Sequence, residues 1–186
     1  MEDMQKLVKE CLRNNASAQK QLYDIYDGKM IAVCYRYTKN MEDAKDVLQE
    51  GFIKVFKNLH QYRLEGELGA WIRKVMVNTA INYLKRKPAY QQELSYTDTS
   101  LHPVSDNTPE IKINTRDLIS LIRQLPTGYQ LIFNLYAVEG YSHAEIASML
   151  GIVETTSRSQ YVRARNLLIK WIENNSLTEQ KDNYAG

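Results

Sequence analysis

Histidine, cysteine, proline and glycine are all scarce in this 186-residue chain, and each scarcity excludes something. Two cysteines, Cys11 and Cys34, cannot build a disulfide framework or a cysteine metal cluster, and each falls in a helical pattern as a small apolar group. Three histidines (His60, His102 and His143) lie far apart, and no glycine-rich phosphate loop is present. The sequence therefore carries no sign of an enzyme, a metal, a cofactor or a small-molecule substrate. No run approaches the roughly 18 apolar residues of a membrane span. The opening MEDMQKLVKE is charged and lacks the apolar stretch of a secretory signal, so the expected compartment is the cytoplasm. A net charge of only +2 does not by itself mark a nucleic-acid binder.

What is present is helical periodicity. Helices are predicted over 3–13, from Asn15 or Ser17 to Tyr37, over 41–59 and over 70–87. The second carries Ala18, Leu22, Ile25, Tyr26, Val33 and Tyr37 as its apolar stripe, interrupted by Gly28. The third carries Leu48, Phe52, Val55, Phe56 and Leu59. Residues 61–69 read as a loop. The fourth buries Ile72, Val75, Met76, Ala80, Tyr83 and Leu84.

Residues 88–112 hold three of the four prolines with Ser, Thr and Asp, and read as a linker. Beyond it, Leu118, Leu121, Ile122 and Leu125 form one stripe. Leu131, Ile132, Leu135 and Tyr136 form the next. Two more helices follow, over 142–150 and 154–173, and a polar tail is expected to fray. The fold class is all-α: two small helical domains joined by a flexible linker. Their expected bounds are 1–87, 88–112 (linker), 113–174 and 175–186 (tail).

Charge is unevenly placed. Residues 71–90 hold Arg73, Lys74, Lys85, Arg86 and Lys87 with no acid. Residues 88–111 hold Glu93, Asp98, Asp106 and Glu110 with no Lys or Arg. The basic stripe suits phosphate binding, or simply a solvated helix end. The acidic stretch suits either mimicry of a nucleic-acid backbone or an ordinary soluble linker.

The most specific local signal is YSHAEIASMLGIVETTSRSQYVRARNLL (141–168). Ser142 can cap a helix and Glu145 completes a capping box. Ala147 is small where a second helix crosses, Gly151 provides a left-handed helix end, and Ile152 plugs the turn. This is a helix-turn-helix pattern, in which the second helix enters the major groove. Thr155, Thr156, Ser159 and Arg163 share one face of that helix, with Arg158 at its edge. Arg can grip guanine bidentately, and Thr or Ser can bond to phosphate or base. Ser157 departs from the pattern, because it stands where such motifs place an aliphatic core residue. The motif alone also suits a conventional repressor or activator.

Taken together these segments resemble an extracytoplasmic-function RNA polymerase sigma factor, with sigma regions 2 and 4. RYTKNMEDAKDVLQEGFIKVFKNL (36–59), YRLEGELGAW (62–71) and WIRKVMVNTAINYLKRK (71–87) are similar to region 2. QLPTGYQLIFNLYAVEGYSHAEIASMLGI (124–152) and TTSRSQYVRAR (155–165) are similar to region 4. The resemblance implies an alternative sigma factor that binds core RNA polymerase and directs promoter recognition, DNA melting and initiation. Its implied partners are the clamp helices of the largest polymerase subunit, the flap of the second-largest, promoter DNA and an anti-sigma factor. Asp43, Asp46, Gln49 and Glu50 then fall to polymerase binding. Tyr62 and Arg63, with Glu65, fall to capture of a flipped base, although the second aromatic common before Trp71 is replaced by Leu68-Gly69-Ala70. Lys74, Asn78, Asn82, Lys85 and Arg86 fall to the −10 element, and Thr155, Thr156, Arg158, Ser159 and Arg163 to the −35 element.

Overall fold

A computed structural model of the chain describes residues 2–63, 66–87, 90 and 114–184, with side chains for 3–63, 66–87, 90 and 114–174. The described residues are helical and form two compact units, Met1–Arg86 and Lys87–Gly186.

The first unit holds four helices: α1 (Glu2–Leu12), α2 (Ala16–Tyr37), α3 (Met41–Asn58) and α4 (Leu68–Lys85). Their starts follow from local capping. The Asn15 side chain accepts from the N–H groups of Ser17 and Ala18, and the Asn40 side chain accepts from that of Asp43. Each satisfies a donor that the first helical turn would leave unpaired. Between them Asn14 turns the chain at φ 60°. α2, α3 and α4 pack on one another and α1 packs on α2. Leu22, Tyr37, Val47, Val55, Ile72, Met76 and Ala80 are fully enclosed. A fully buried aliphatic side chain contributes about 1.5–3 kcal/mol, so this shared core is what holds the unit together. Both thiols are buried, and burial pushes that of Cys34 up to about 12.

Several expectations shift by a turn or a face. Gly28 does not interrupt α2. It is exposed in a continuous 22-residue helix, where its cost of about 1 kcal/mol relative to Ala is outweighed by burial elsewhere on the same helix. Ile25 is 43% exposed, and Met30 and Cys34 fill the core in its place. α3 ends one residue early, and Leu59–Gln61 tighten into a 3₁₀ turn. α4 starts at Leu68, because burial of Leu68 draws the first turn forward. Val77 and Ile81 are buried on α4, whereas Val75 and Tyr83 are only half-buried.

The second unit begins with α5 (Thr115–Gln124), capped by the Asn114 side chain, and α6 (Thr127–Phe133). A π-helical turn, Asn134–Val138, continues α6 and leaves Tyr136 38% exposed, off the stripe expected for it. α7 (His143–Leu150) and α8 (Glu154–Tyr184) follow. Leu121 and Ile122 of the first helix, with Leu125 just beyond its end, pack with Ala164, Leu168 and Ile172 of the last. α8 runs on through the segment expected to fray, since 154–184 contains no Gly or Pro to stop it. The linker segment lies outside the described residues except for Tyr90, which is buried.

Candidate nucleic-acid interface

The second unit carries its site on α7 and α8. Ser142 Oγ accepts from the Glu145 N–H, and the Glu145 carboxylate accepts from the Ser142 N–H, so the capping box is closed at both ends. Gly151 has φ 73° and ends α7; its N–H donates to the Ala147 carbonyl at 2.9 Å, and the Ile152 N–H donates to the same oxygen at 3.1 Å. These two bonds close the turn in the left-handed form that favours glycine. α8 then starts three residues later and packs back on α7.

The expected contact residues are not equally presented. Thr155 and Arg158 are exposed, whereas Thr156 and Ser159 are half-buried. Arg158 donates to the Glu154 carboxylate one turn earlier, and Ser159 Oγ donates to the Thr156 carbonyl at 3.1 Å. Arg163 is half-buried, and its Nη1 is enclosed without a hydrogen-bond partner. Part of the guanidinium therefore faces protein.

Ser157, the misfit of the motif, is completely buried. Its hydroxyl lies 2.9 Å from Nδ1 of His143, the first residue of α7. The His143 ring is itself 8% exposed and stacks on Tyr136 at 4.2 Å with 9° between planes. Tyr161 of α8 closes the cluster, 5.8 Å from His143 and 4.5 Å from Tyr136. The position is thus a polar one with a polar partner, as burial of a hydroxyl requires. Burial, then the nearby Arg158, lowers the His143 pKa below the usual histidine range, while Glu154 opposes them.

In the first unit α4 presents Lys74, Asn78, Asn82 and Lys85, all exposed, opposite the buried Ile72, Met76, Ala80 and Leu84. The spacing of four, four and three places the polar set on one side of the helix. Below it, the Tyr62 hydroxyl donates to the Gly66 carbonyl at 2.8 Å, and its ring lies 5.9 Å from that of Trp71. Arg63 is exposed; Glu65 lies outside the described residues. A groove of about 1170 Å³ opens beside this loop, with Tyr26, Lys29, Tyr62, Glu67 and Arg73 in its wall. A Cβ on Gly69 would stand 3.0 Å from Cε1 of Tyr26. Tyr26 of α2 therefore packs closely against Gly69 in the groove wall. Helical periodicity places Tyr26 on the apolar stripe of α2, and no sequence signal marks its position beside a groove.

On α3, Asp46 and Gln49 are exposed and Asp43 is half-buried. Glu50 is engaged within the unit. It accepts from Lys54 at 2.7 Å and from Arg86 at 3.0 Å and 3.3 Å. The Lys54 and Arg86 hydrogen bonds hold its carboxyl below the usual range. A residue assigned to polymerase and one assigned to DNA are thus tied to each other.

Comparison with known proteins covers both units. The family model for Sigma-70 region 2 matches residues 22–89, and that for Sigma-70, region 4 matches 115–168. The chain belongs to the extracytoplasmic-function sigma factors. It is 26% identical to the sigma factor SigW of Bacillus subtilis, over 90% of this chain and 95% of that one. It is 29% identical to the sigma-E factor of Haemophilus influenzae, over 88% and 92% respectively. Among solved structures, the sigma factor RpoE of Bartonella quintana, determined in complex with the anti-sigma factor NepR, has the same fold (TM-score 0.51, 18% identity, 83% of this chain and 96% of that one). As a sigma factor, the chain directs promoter-specific initiation of transcription.

Proposed function

We propose that the two units divide promoter recognition between them, α8 anchoring the −35 element and α4 with its preceding loop opening the −10 element. The observation that carries this is the exposed row of Lys74, Asn78, Asn82 and Lys85 along a helix whose other side is core. Lysines there can hold phosphates, and asparagines can read base edges. Tyr62 and the adjoining groove offer an aromatic wall for an unstacked base, whose removal from the duplex costs a few kcal/mol. Thr155, Thr156, Arg158, Ser159 and Arg163 serve the upstream element in the same reading.

Asp43, Asp46 and Gln49 present an acidic-polar face to the clamp helices of core polymerase. Glu50 supports that face indirectly, by fixing Lys54 and Arg86. The second unit meets the polymerase flap. An anti-sigma factor is a third partner, consistent with the complex of the Bartonella quintana relative. The domain bounds 1–87, 88–112, 113–174 and 175–186 go with this division. The chain acts as a regulator rather than an enzyme, and in the cytoplasm, where polymerase works; no described helix is long and apolar enough to cross a membrane. Transcription by purified core enzyme, with and without the chain, tests the reading.

A further inference from the structure

We propose that His143 and Ser157 are a positioning pair that seats the recognition helix, and that the pair makes upstream-element binding weaken at acidic pH. This rests on the reading of α8 as the upstream anchor.

The geometry places the pair where it controls presentation. Ser157 lies on α8 between Thr156 and Arg158 and within two residues of Thr155 and Ser159. His143 opens α7, so the 2.9 Å contact ties the start of one helix to the DNA-facing segment of the other. Neither side chain is open to solvent. Ser157 is fully buried and His143 nearly so, stacked between the π-helical turn and α8 through Tyr136 and Tyr161. A rotated α8 would break both the hydrogen bond and the ring stack.

The charged and titratable groups around the imidazole come from three elements. α8 brings Glu154, Arg158 and Tyr161, and the π-helical turn brings Tyr136. α7 brings Glu145, already committed to Ser142, and its own N-terminal N–H groups. Burial, Arg158 and the positive end of the helix dipole oppose a proton on His143; Glu154 and the Tyr136 ring face favour one. The balance keeps the ring neutral at pH 7.5. An added proton places a cation beside Arg158 and competes with Arg158 for Glu154, disturbing the stretch that contacts DNA. A histidine with a lowered pKa contributes its full stabilisation above the unfolded value of about 6.5 and loses it as pH falls through the lowered value.

The test uses holoenzyme reconstituted with core polymerase and a fluorescent duplex bearing the upstream element mapped by run-off sequencing. Affinity is measured from pH 7.5 to pH 5 for the wild type, for His143→Phe and for His143→Gln. The wild type is expected to lose affinity about threefold or more beyond any loss in the two variants, since one linked proton gives tenfold per pH unit below its titration point. Ring ¹⁵N spectra of the full-length wild-type chain are expected to place the His143 titration in the same interval. Parallel pH curves for wild type and a folded variant, or a ring that titrates outside that interval, overturn the proposal. Tighter wild-type binding at low pH does so too, because it makes the charge a simple phosphate attraction. Failure of the wild type to hold the duplex at pH 7.5 overturns the upstream-anchor reading and this inference with it.

Discussion

Replacing Gly151 by alanine isolates the turn on which the upstream anchor depends. An added Cβ meets nothing within 4 Å, so the cost is conformational rather than steric contact with neighbours. A residue with a Cβ pays about 1–2 kcal/mol to hold φ 73°. Asparagine, which adopts this conformation more readily, should lose less. A domain this small rarely holds more than about 3–5 kcal/mol, so alanine removes about a third of its stability. The midpoint should fall by roughly 5–15 °C. The chain has two tryptophans, Trp71 in the first unit and Trp171 in the second, which packs against the second unit's core. Labelling with 5-fluorotryptophan gives one fluorine signal per unit, so thermal unfolding of each can be followed in the intact chain. Only the Trp171 signal should move, and alanine should cost more than asparagine. Equal loss in both variants, or no loss with alanine, refutes the assignment of strain to this turn.

Two further substitutions separate the elements of the promoter. Arg163→Ala should weaken binding of the upstream duplex by about 5- to 150-fold, the equivalent of 1–3 kcal/mol, without changing affinity for core polymerase in a pull-down titration; parallel loss of both makes Arg163 a structural residue. Asn78→Ala, at an exposed position, should leave the fold intact within about 0.5 kcal/mol and yet reduce permanganate reactivity at the downstream element. An unchanged footprint removes Asn78 from the melting surface.

Features set by neighbours in sequence were legible from sequence. Ser142, Glu145 and Gly151 act within a span of ten residues, and their capping box and left-handed end are recognisable by residue type and spacing alone. The row Lys74–Asn78–Asn82 follows from helical period in the same way. What depended on tertiary contact was not legible. Ser157 read as a defect because its partner His143 stands 14 residues away on another helix. Glu50 and Arg86 were given separate roles because the pair spans 36 residues and two helices. Tyr26 and Tyr136 were placed in the core by periodicity; packing instead sets one beside a groove and the other at a π-helical turn, which shifts the face that follows it. The polarity of residues 174–186 suggests fraying, whereas α8 continues to Tyr184 with no Gly or Pro to interrupt it.

The division of labour between the units is tested most directly by transcription with purified core RNA polymerase on fragmented DNA of the native host, with transcript ends mapped by sequencing. The chain should elicit starts absent with core enzyme alone, each preceded by two separated elements, and removal of either element from one such template should abolish the start. The same starts with core enzyme alone, or none when the chain is added, would contradict the account.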